Sequence, residues 1–304
     1  MSQIISVVPN VCEGRDQAFI ESLQGKLERV PGLVVLDVSM DQVRNRTNFS
    51  FTGRKEAIFE GGFLLYEAAL GHIDMRQHQG EYPRVGAVDV FPFVALRDVP
   101  IATAVEWSIQ FAEAVGERFQ FPVYLFAESA RTKVRRDIEN IREGEYEGFA
   151  AKIADPAWKP DFGPDVFQPD KGATIIGARL PIVNFKAYLT TPNEEAAEWV
   201  AEVLSSPTTG MPGVHFYPAL DRTRNEALLN ITVGNFQATP LYRILEAVKT
   251  ELRRFGAGVS RVEMVGLVPQ RALLESAQHY LQIFGFSLDD VVENRLDSIL
   301  GGRG

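Results

Sequence analysis

Twice along this 304-residue chain, short β-branched or aromatic runs alternate with amphipathic segments in the order β-α-β-β-α-β. In the first pass "IISVVP" reads as a strand, and "RDQAFIESLQGKLERV" carries Phe19, Ile20, Leu23, Leu27 and Val30 on one helical face. "GLVVLDV" and "RTNFSFTG" follow as strands, "KEAIFEGGFLLYEAALGHI" as a helix and "AVDVFPFVAL" as a strand. This order is the split βαβ pattern of ferredoxin-like sheets, in which both helices cover one face. A helix "IATAVEWSIQFAEAVGERF", a strand "PVYLFA" and a charged helix "RTKVRRDIENIREGEYEG" extend the unit, and the order recurs from "ATIIGA" onward. The expected fold is therefore α+β: two ferredoxin-like (βαββαβ) subdomains, residues 1–172 and 173–304. Each sheet has one face left for a partner, so the two are expected to stack face to face around a central cleft.

Between the halves, residues 155–173 hold four prolines and two glycines without apolar periodicity, which marks a long connector. Its Trp158, Phe162 and Phe167 argue against a passive linker, because a solvated linker has little use for aromatics. The net charge of −9, with no run of lysines and arginines, disfavours a nucleic-acid or anionic-membrane surface. Cys12 is the only cysteine, so an intramolecular disulfide and a thiolate zinc site are excluded. "MSQIISVVPN" lacks the features of a signal peptide and no segment is long and apolar enough to span a bilayer, so the cytoplasm is the expected setting.

The segment richest in displayed chemistry is "HQGEYPRVGAVD", residues 78–89, punctuated by Gly80, Pro83 and Gly86. His78 titrates near neutrality, Glu81 can orient or polarise a neighbour, and Arg84 can hold a carboxylate by a two-pronged hydrogen bond. A solvated loop of mutually satisfied charges is the competing reading. Asn45 and Arg46, at the mouth of the strand "RTNFSF", form a second candidate, with a surface ion pair as its ordinary explanation. His72 and His279 fall on helices, where structural roles are expected, and no histidine pair has metal-ligand spacing.

Eight collinear stretches carry a resemblance: "VPNVCEG", "NRT" at 45–47, "HQGEYPRVGAVDVFPF" at 78–93, "PVYLFAESAR", "REGEYEG", "DFGP" at 161–164, "GAR" at 177–179 and "VGLVP". Together the chain closely resembles the glutamate formimidoyltransferase family over nearly its whole length. The resemblance implies a homodimer that binds folate between its subdomains and transfers a formimino group from N-formiminoglutamate to tetrahydrofolate, in histidine degradation and one-carbon metabolism, without a metal. A cyclodeaminase, fused to this module in animals, would be a separate partner. The family's folate-contacting segment falls on Gly163 to Gly172, with Pro164 inside it, and Arg179 lies in a family-like "GAR".

Departures from the family pattern are as informative. The family's loop usually reads "HxGEHPRxGAxD", so Tyr82 stands where the resemblance places the catalytic histidine. Phe126 stands at a common tyrosine position, and Lys186 and Tyr188 at asparagine positions. The reaction must take a proton from the attacking folate nitrogen and give one to the departing glutamate, work suited to a group with a pKa near 7. An unperturbed tyrosine, with a pKa of about 10, suits the acid role better than the base role. Three outcomes stay open: the family reaction with His78 or Tyr82 moving the proton, a different one-carbon or amide substrate, and a non-catalytic folate-binding or regulatory protein. Cys12 reads as a small packed residue, since nothing near it in sequence would activate it.

Overall fold

The structure is a computed structural model that describes residues 5–96, 99–206 and 208–300, with side chains through residue 296. Contacts divide the chain into one unit of residues 2–180 and another that begins at Pro181.

In chain order the first unit contains β1 (Ile5–Val7), β2 (Asn10–Val11), α1 (Gln17–Leu27), β3 (Leu33–Asp41), β4 (Arg46–Gly53), α2 (Lys55–His72), β5 (Val88–Ala95), α3 (Ile101–Phe119), β6 (Val123–Ala127), α4 (Ile138–Arg142), α5 (Glu145–Ala154) and β7 (Thr174–Arg179). β1 and β2 are two pieces of one strand interrupted at Pro9, which has no N–H to offer a ladder. Both pair antiparallel with β4 on one side and β5 on the other, and β3 pairs antiparallel with β4 as a hairpin. Beyond β5 the pairing turns parallel: β7 lies between β5 and β6. The strand expected to open the second half at residue 173 thus belongs to the first sheet, and the contact boundary falls at Leu180/Pro181.

One face of this sheet is covered by α1, α2 and α3. Asp16 caps α1 by accepting from the Phe19 amide at 2.9 Å, and Ile20, Leu23 and Leu27 face inward as their spacing requires. Phe91 and Phe93 from β5 pack against Phe111 of α3, with Phe91 and Phe111 ring centroids 4.6 Å apart. The opposite face holds a smaller core of Val85, Val90, Tyr124, Phe126, Ile141, Phe149, Ala173 and Ile175. α4, α5, Trp158 and Phe167 cover it, so the helices of this unit lie on both faces rather than one.

The connector is accordingly structural. Tyr124 donates its hydroxyl to the Trp158 carbonyl at 2.7 Å. Asp161 accepts from the Leu125 amide and from Arg135, both at 2.8 Å, which pins "DFGP" against β6. The expected charged helix is also corrected. It breaks into a short 3-10 turn at Val134–Arg136, α4 and α5, because Asp137 is extended and caps α4 and Gly144 turns left-handed at φ +83° before α5. Lys152 of α5 bridges the break by donating to the carbonyls of Asn140, Ile141 and Glu143, the exposed end of α4.

The second unit runs β8 (Val183–Leu189), α6 (Glu194–Ser205), β9 (Val214–Asp221), β10 (Glu226–Val233), α7 (Leu241–Leu252) and β11 (Val259–Val265), followed by α8 (Gln270–Leu281) and α9 (Val292–Leu300). Its four strands are antiparallel in the order β11-β8-β10-β9. Val200 and Leu204 of α6 and Ile244 and Val248 of α7 pack on Phe185, Phe216, Leu229 and Ile231. Because strand side chains alternate, Asn184, Lys186 and Tyr188 take the opposite face.

Candidate active site

In the first unit, the 78–89 loop is held from two sides by backbone that only small residues permit. On one side is the β3–β4 turn, where Asn45 takes a left-handed φ of +49°. Asn45 accepts from the Gly14 amide through Oδ1 and donates through Nδ2 to the Gln79 carbonyl, both at 3.0 Å. Gly80 lies against this turn so closely that a Cβ would come within 2.9 Å of the Arg44 carbonyl carbon. On the other side, Ala87 donates to the Lys171 carbonyl and Ala173 to the Val85 carbonyl, both at 2.9 Å. Gly172, at φ +77°, makes this approach possible.

Held this way, the loop gathers five of the expected residues: Asn45, Arg46, His78, Tyr82 and Arg84. His78 Nε2 lies 3.0 Å from the Asn45 carbonyl oxygen, which can only accept, so the imidazole carries its hydrogen on Nε2. Nδ1 is then the acceptor, with Arg84 Nε 3.4 Å away. Burial holds the imidazole below its ordinary pKa, and the Arg84 charge adds to this. Arg84 is buried, yet its guanidinium forks onto Glu147 at 2.6 and 3.0 Å and reaches Glu145 at 3.0 Å. Burial opposes the Arg84 charge, and the hydrogen bond and charge of Glu147 overcome that opposition and raise its pKa. Glu147 is correspondingly held below the usual carboxylate range by its hydrogen bonds from Arg84. His78, Gln79, Gly80, Arg84, Gly144, Glu145 and Glu147 line a cleft of about 540 Å³.

Behind this cleft is a second charged group. Asp89, fully buried, accepts from the Val85 amide through Oδ1 at 3.0 Å and from Arg142 through Oδ2 at 2.5 Å. Arg46 meets the same Oδ2 at 3.5 Å. The half-buried Tyr82 ring is ringed by guanidinium groups, those of Arg46, Arg142 and Arg44 lying 4.2, 5.4 and 5.8 Å from its centroid. Cys12 sits in the same field and its thiol is pushed up to about 12, chiefly by burial and then by Asp89.

The remaining expected residues are dispersed. Glu81 is exposed, Phe126 belongs to the small core against α4 and α5, and Gly163, at φ +76°, packs against Phe121 and Gly116. Pro164 is half-buried beside it, and Arg179 ends β7 with Nη1 donating to the Leu180 carbonyl. Burial lowers the Arg179 guanidinium to about 10. Lys186 and Tyr188 lie in the second unit. Lys186 sits opposite Asn230 and Glu263, while the Tyr188 hydroxyl donates to Glu263 at 3.0 Å beneath the Arg261 guanidinium.

Sequence reasoning passed over Asp89, Arg142, Glu145 and Glu147. A signal existed: Asp89 stands inside a strand whose eight residues are all buried, and a buried carboxylate demands a cationic partner. His72 and His279 take the structural places expected, stacking on Phe19 and Tyr242 at 3.9 and 4.0 Å. Among the described residues, no group of three or more His, Cys, Asp or Glu could hold a metal ion, and no helix is long and apolar enough to cross a membrane.

A mixed α+β protein with two sheets, one bordered by a cleft of histidine, arginine and glutamate side chains, is the class these features define. Comparison with known proteins is more specific. Residues 4–179 match the family described as formiminotransferase domain, N-terminal subdomain, and residues 219–294 match formiminotransferase domain. The chain is 35% identical to a glutamate formimidoyltransferase of Streptococcus pyogenes serotype M1, covering 97% of this chain and 99% of that one. It is also 35% identical to one of Thermoplasma acidophilum, covering 97% of each. A formimidoyltransferase-cyclodeaminase of Sus scrofa is 36% identical over 93% of this chain and 53% of its own length. The chain belongs to the formiminotransferase family.

Proposed function

We propose that this protein transfers the formimino group of N-formiminoglutamate to tetrahydrofolate, as a cytoplasmic enzyme of one-carbon metabolism and histidine degradation. The observation that carries the reading is the cleft lined by His78 and Arg84, with Asn45 bonded to His78 and Tyr82 packed on Arg46 in the adjoining backbone, in a chain aligned along almost its full length with transferases. The strand orders β3-β4-β1/β2-β5 and β9-β10-β8-β11 support reading each unit around a ferredoxin-like core.

In the proposed reaction the folate nitrogen attacks the amidine carbon, and the bond from that carbon to the glutamate nitrogen breaks. His78 takes the proton of the attacking nitrogen on Nδ1, which its Nε2 bond to Asn45 leaves without a hydrogen, and this displaces the long 3.4 Å contact from Arg84 Nε. Its lowered pKa keeps it neutral at pH 7. Tyr82 donates its phenolic proton to the departing glutamate nitrogen, and the proton taken up by His78 returns to Tyr82 through solvent, which restores both groups. Glu81 is exposed and free to meet substrate. Folate binding is assigned to the 163–172 segment with Phe126 and Arg179, and Lys186 and Tyr188 are retained as binding candidates. A homodimer and a separate cyclodeaminase acting on the product complete the proposal.

The test is a transfer assay with formiminoglutamate and tetrahydrofolate on the natural protein and on Tyr82→His, with folate affinity measured on both. Turnover by the natural protein, lost in His78→Gln, supports the assignment. Folate binding without turnover by the natural protein, together with turnover by Tyr82→His, would show a binding protein on an intact scaffold. Absence of both binding and turnover in the two proteins overturns the reading.

A further inference from the structure

We propose that Arg46 and Arg142 form a carboxylate-binding subsite beneath Tyr82, which seats a carboxylate of the glutamate portion of the donor. The identity of the donor rests on the transferase reading; the subsite rests on charges and unpaired donors.

Arg46 and Arg142 are 8% and 4% exposed, so both guanidinium groups are more than nine-tenths buried. Two of their nitrogens, Arg46 Nη1 and Arg142 Nε, are buried without a hydrogen-bond partner. A cation stripped of water retains a large desolvation cost unless its donors are matched. The acids facing the pair do not match them. Asp89 Oδ1 is taken by the Val85 amide, and Oδ2 is held by Arg142 at 2.5 Å, leaving Arg46 a contact of 3.5 Å on an oxygen already in use. Glu139, largely exposed, comes no nearer than 3.7 Å to Arg142, on Nη1 and not on Nε. Glu145 and Glu147 are engaged by Arg84, and Asp41 by Arg44. The Cys12 thiol, buried in the same field, stays protonated and supplies no charge.

The Tyr82 ring is what now covers these groups, with the Arg46 guanidinium 4.2 Å from its centroid. A cation–π contact offsets only part of the cost of leaving a buried charged donor unsatisfied. The ring is therefore a partial substitute for an anion, and it is half-buried at the loop surface, where it can swing aside. Guanidinium groups favour carboxylate through paired N–H donors, and one small carboxylate is the missing complement. Gly144 and Arg84 line the neighbouring cleft, two residues from Arg142 and Tyr82 respectively, so a carboxylate seated here lies beside His78.

Calorimetric titration with glutarate, glutaramide and inorganic phosphate tests the subsite without turnover. Glutarate is expected to bind the natural protein, with glutaramide at least tenfold weaker. Arg46→Gln is expected to weaken glutarate about 10- to 100-fold, whereas the exposed Arg44→Gln stays within about threefold. Tyr82→Ala, which removes the competing ring, is expected to bind glutarate at least as tightly as the parent. Equal binding of glutaramide, tighter binding of phosphate, or an unchanged Arg46→Gln would overturn the proposal. If Arg46→Gln does not fold, the discrimination between glutarate and glutaramide by the natural protein decides. Glutarate binding in a protein without transfer activity sinks the transferase reading and leaves the subsite. Transfer activity with an unchanged donor KM in folded Arg46→Gln sinks the subsite alone.

Discussion

Replacing Gly172 by alanine probes the clamp that holds the 78–89 loop. At φ +77° a Cβ costs about 1–2 kcal/mol for the left-handed backbone alone. It would also fall inside contact distance of the Val85 carbonyl oxygen and within 2.6 Å of the Gly86 Cα, both backbone atoms that cannot rotate away. Relief requires the two strands of the clamp to part, stretching the Ala173-to-Val85 and Ala87-to-Lys171 hydrogen bonds, each worth about 0.5–1.5 kcal/mol. The expected loss is about 2–5 kcal/mol. Gly32→Ala is the matched control in the same unit. Its φ is +78°, and the nearest atom to a new Cβ is the Ala57 Cβ at an ordinary 3.8 Å, so only the backbone cost of about 1–2 kcal/mol applies. Changes in unfolded-chain entropy cancel between the two. Urea titration followed by tryptophan fluorescence measures both. If Gly172→Ala is no more destabilised than Gly32→Ala, the clamp is not rigid and the argument for a pre-formed loop fails.

The Glu147–Arg84 pair predicts acid sensitivity of known sign. Because the Glu147 pKa is lowered on folding, its stabilisation is complete above the ordinary 4.5 and is lost as pH falls below it; Glu147→Gln should flatten stability against pH in that window, as acid titration of unfolding would reveal. The His78 ring should titrate below 6.5 in NMR spectra of the folded protein, and a midpoint above that value contradicts its burial beside Arg84. Cys12, buried and pushed up to about 12, should resist a thiol reagent at pH 8 until the protein is unfolded; rapid modification of the native state refutes the packing described. Asp161→Asn leaves Arg135 buried without its carboxylate, and should cost about 3–5 kcal/mol by chemical denaturation, with a change in Trp158 emission; an unchanged midpoint contradicts the role given to that pair.

Local signals made much of this chain readable. α1 follows from the inward spacing of Ile20, Leu23 and Leu27, and the 78–89 loop announced itself by charges between glycines and proline. β7 was placed in the wrong half because a buried parallel strand is a plain apolar run, and "ATIIGA" carries no mark of which sheet it joins. The α4–α5 break was hidden in a run of charges, where Gly144 looks like a tolerated interior glycine. Asp89 and Arg142 lie 53 residues apart, and nothing in the local pattern around either names the other. Tyr82 stood out as a candidate by its departure from the family pattern, yet its ring of three arginines comes from two other segments that only the fold brings near.

The seat of β7 between β5 and β6 sets an order of events during synthesis. β6 leaves the ribosome some fifty residues before β7, and has no neighbour in the sheet until β7 arrives to pair with it. The nascent chain therefore carries an open slot, and unpaired strand edges of this kind attract wrong partners. The same late segment supplies Lys171 to Ala173, which close on the 85–87 backbone. The 78–89 loop cannot be locked before about residue 179 has emerged, so a fragment ending near residue 172 should be sticky and loose where the whole unit is sealed.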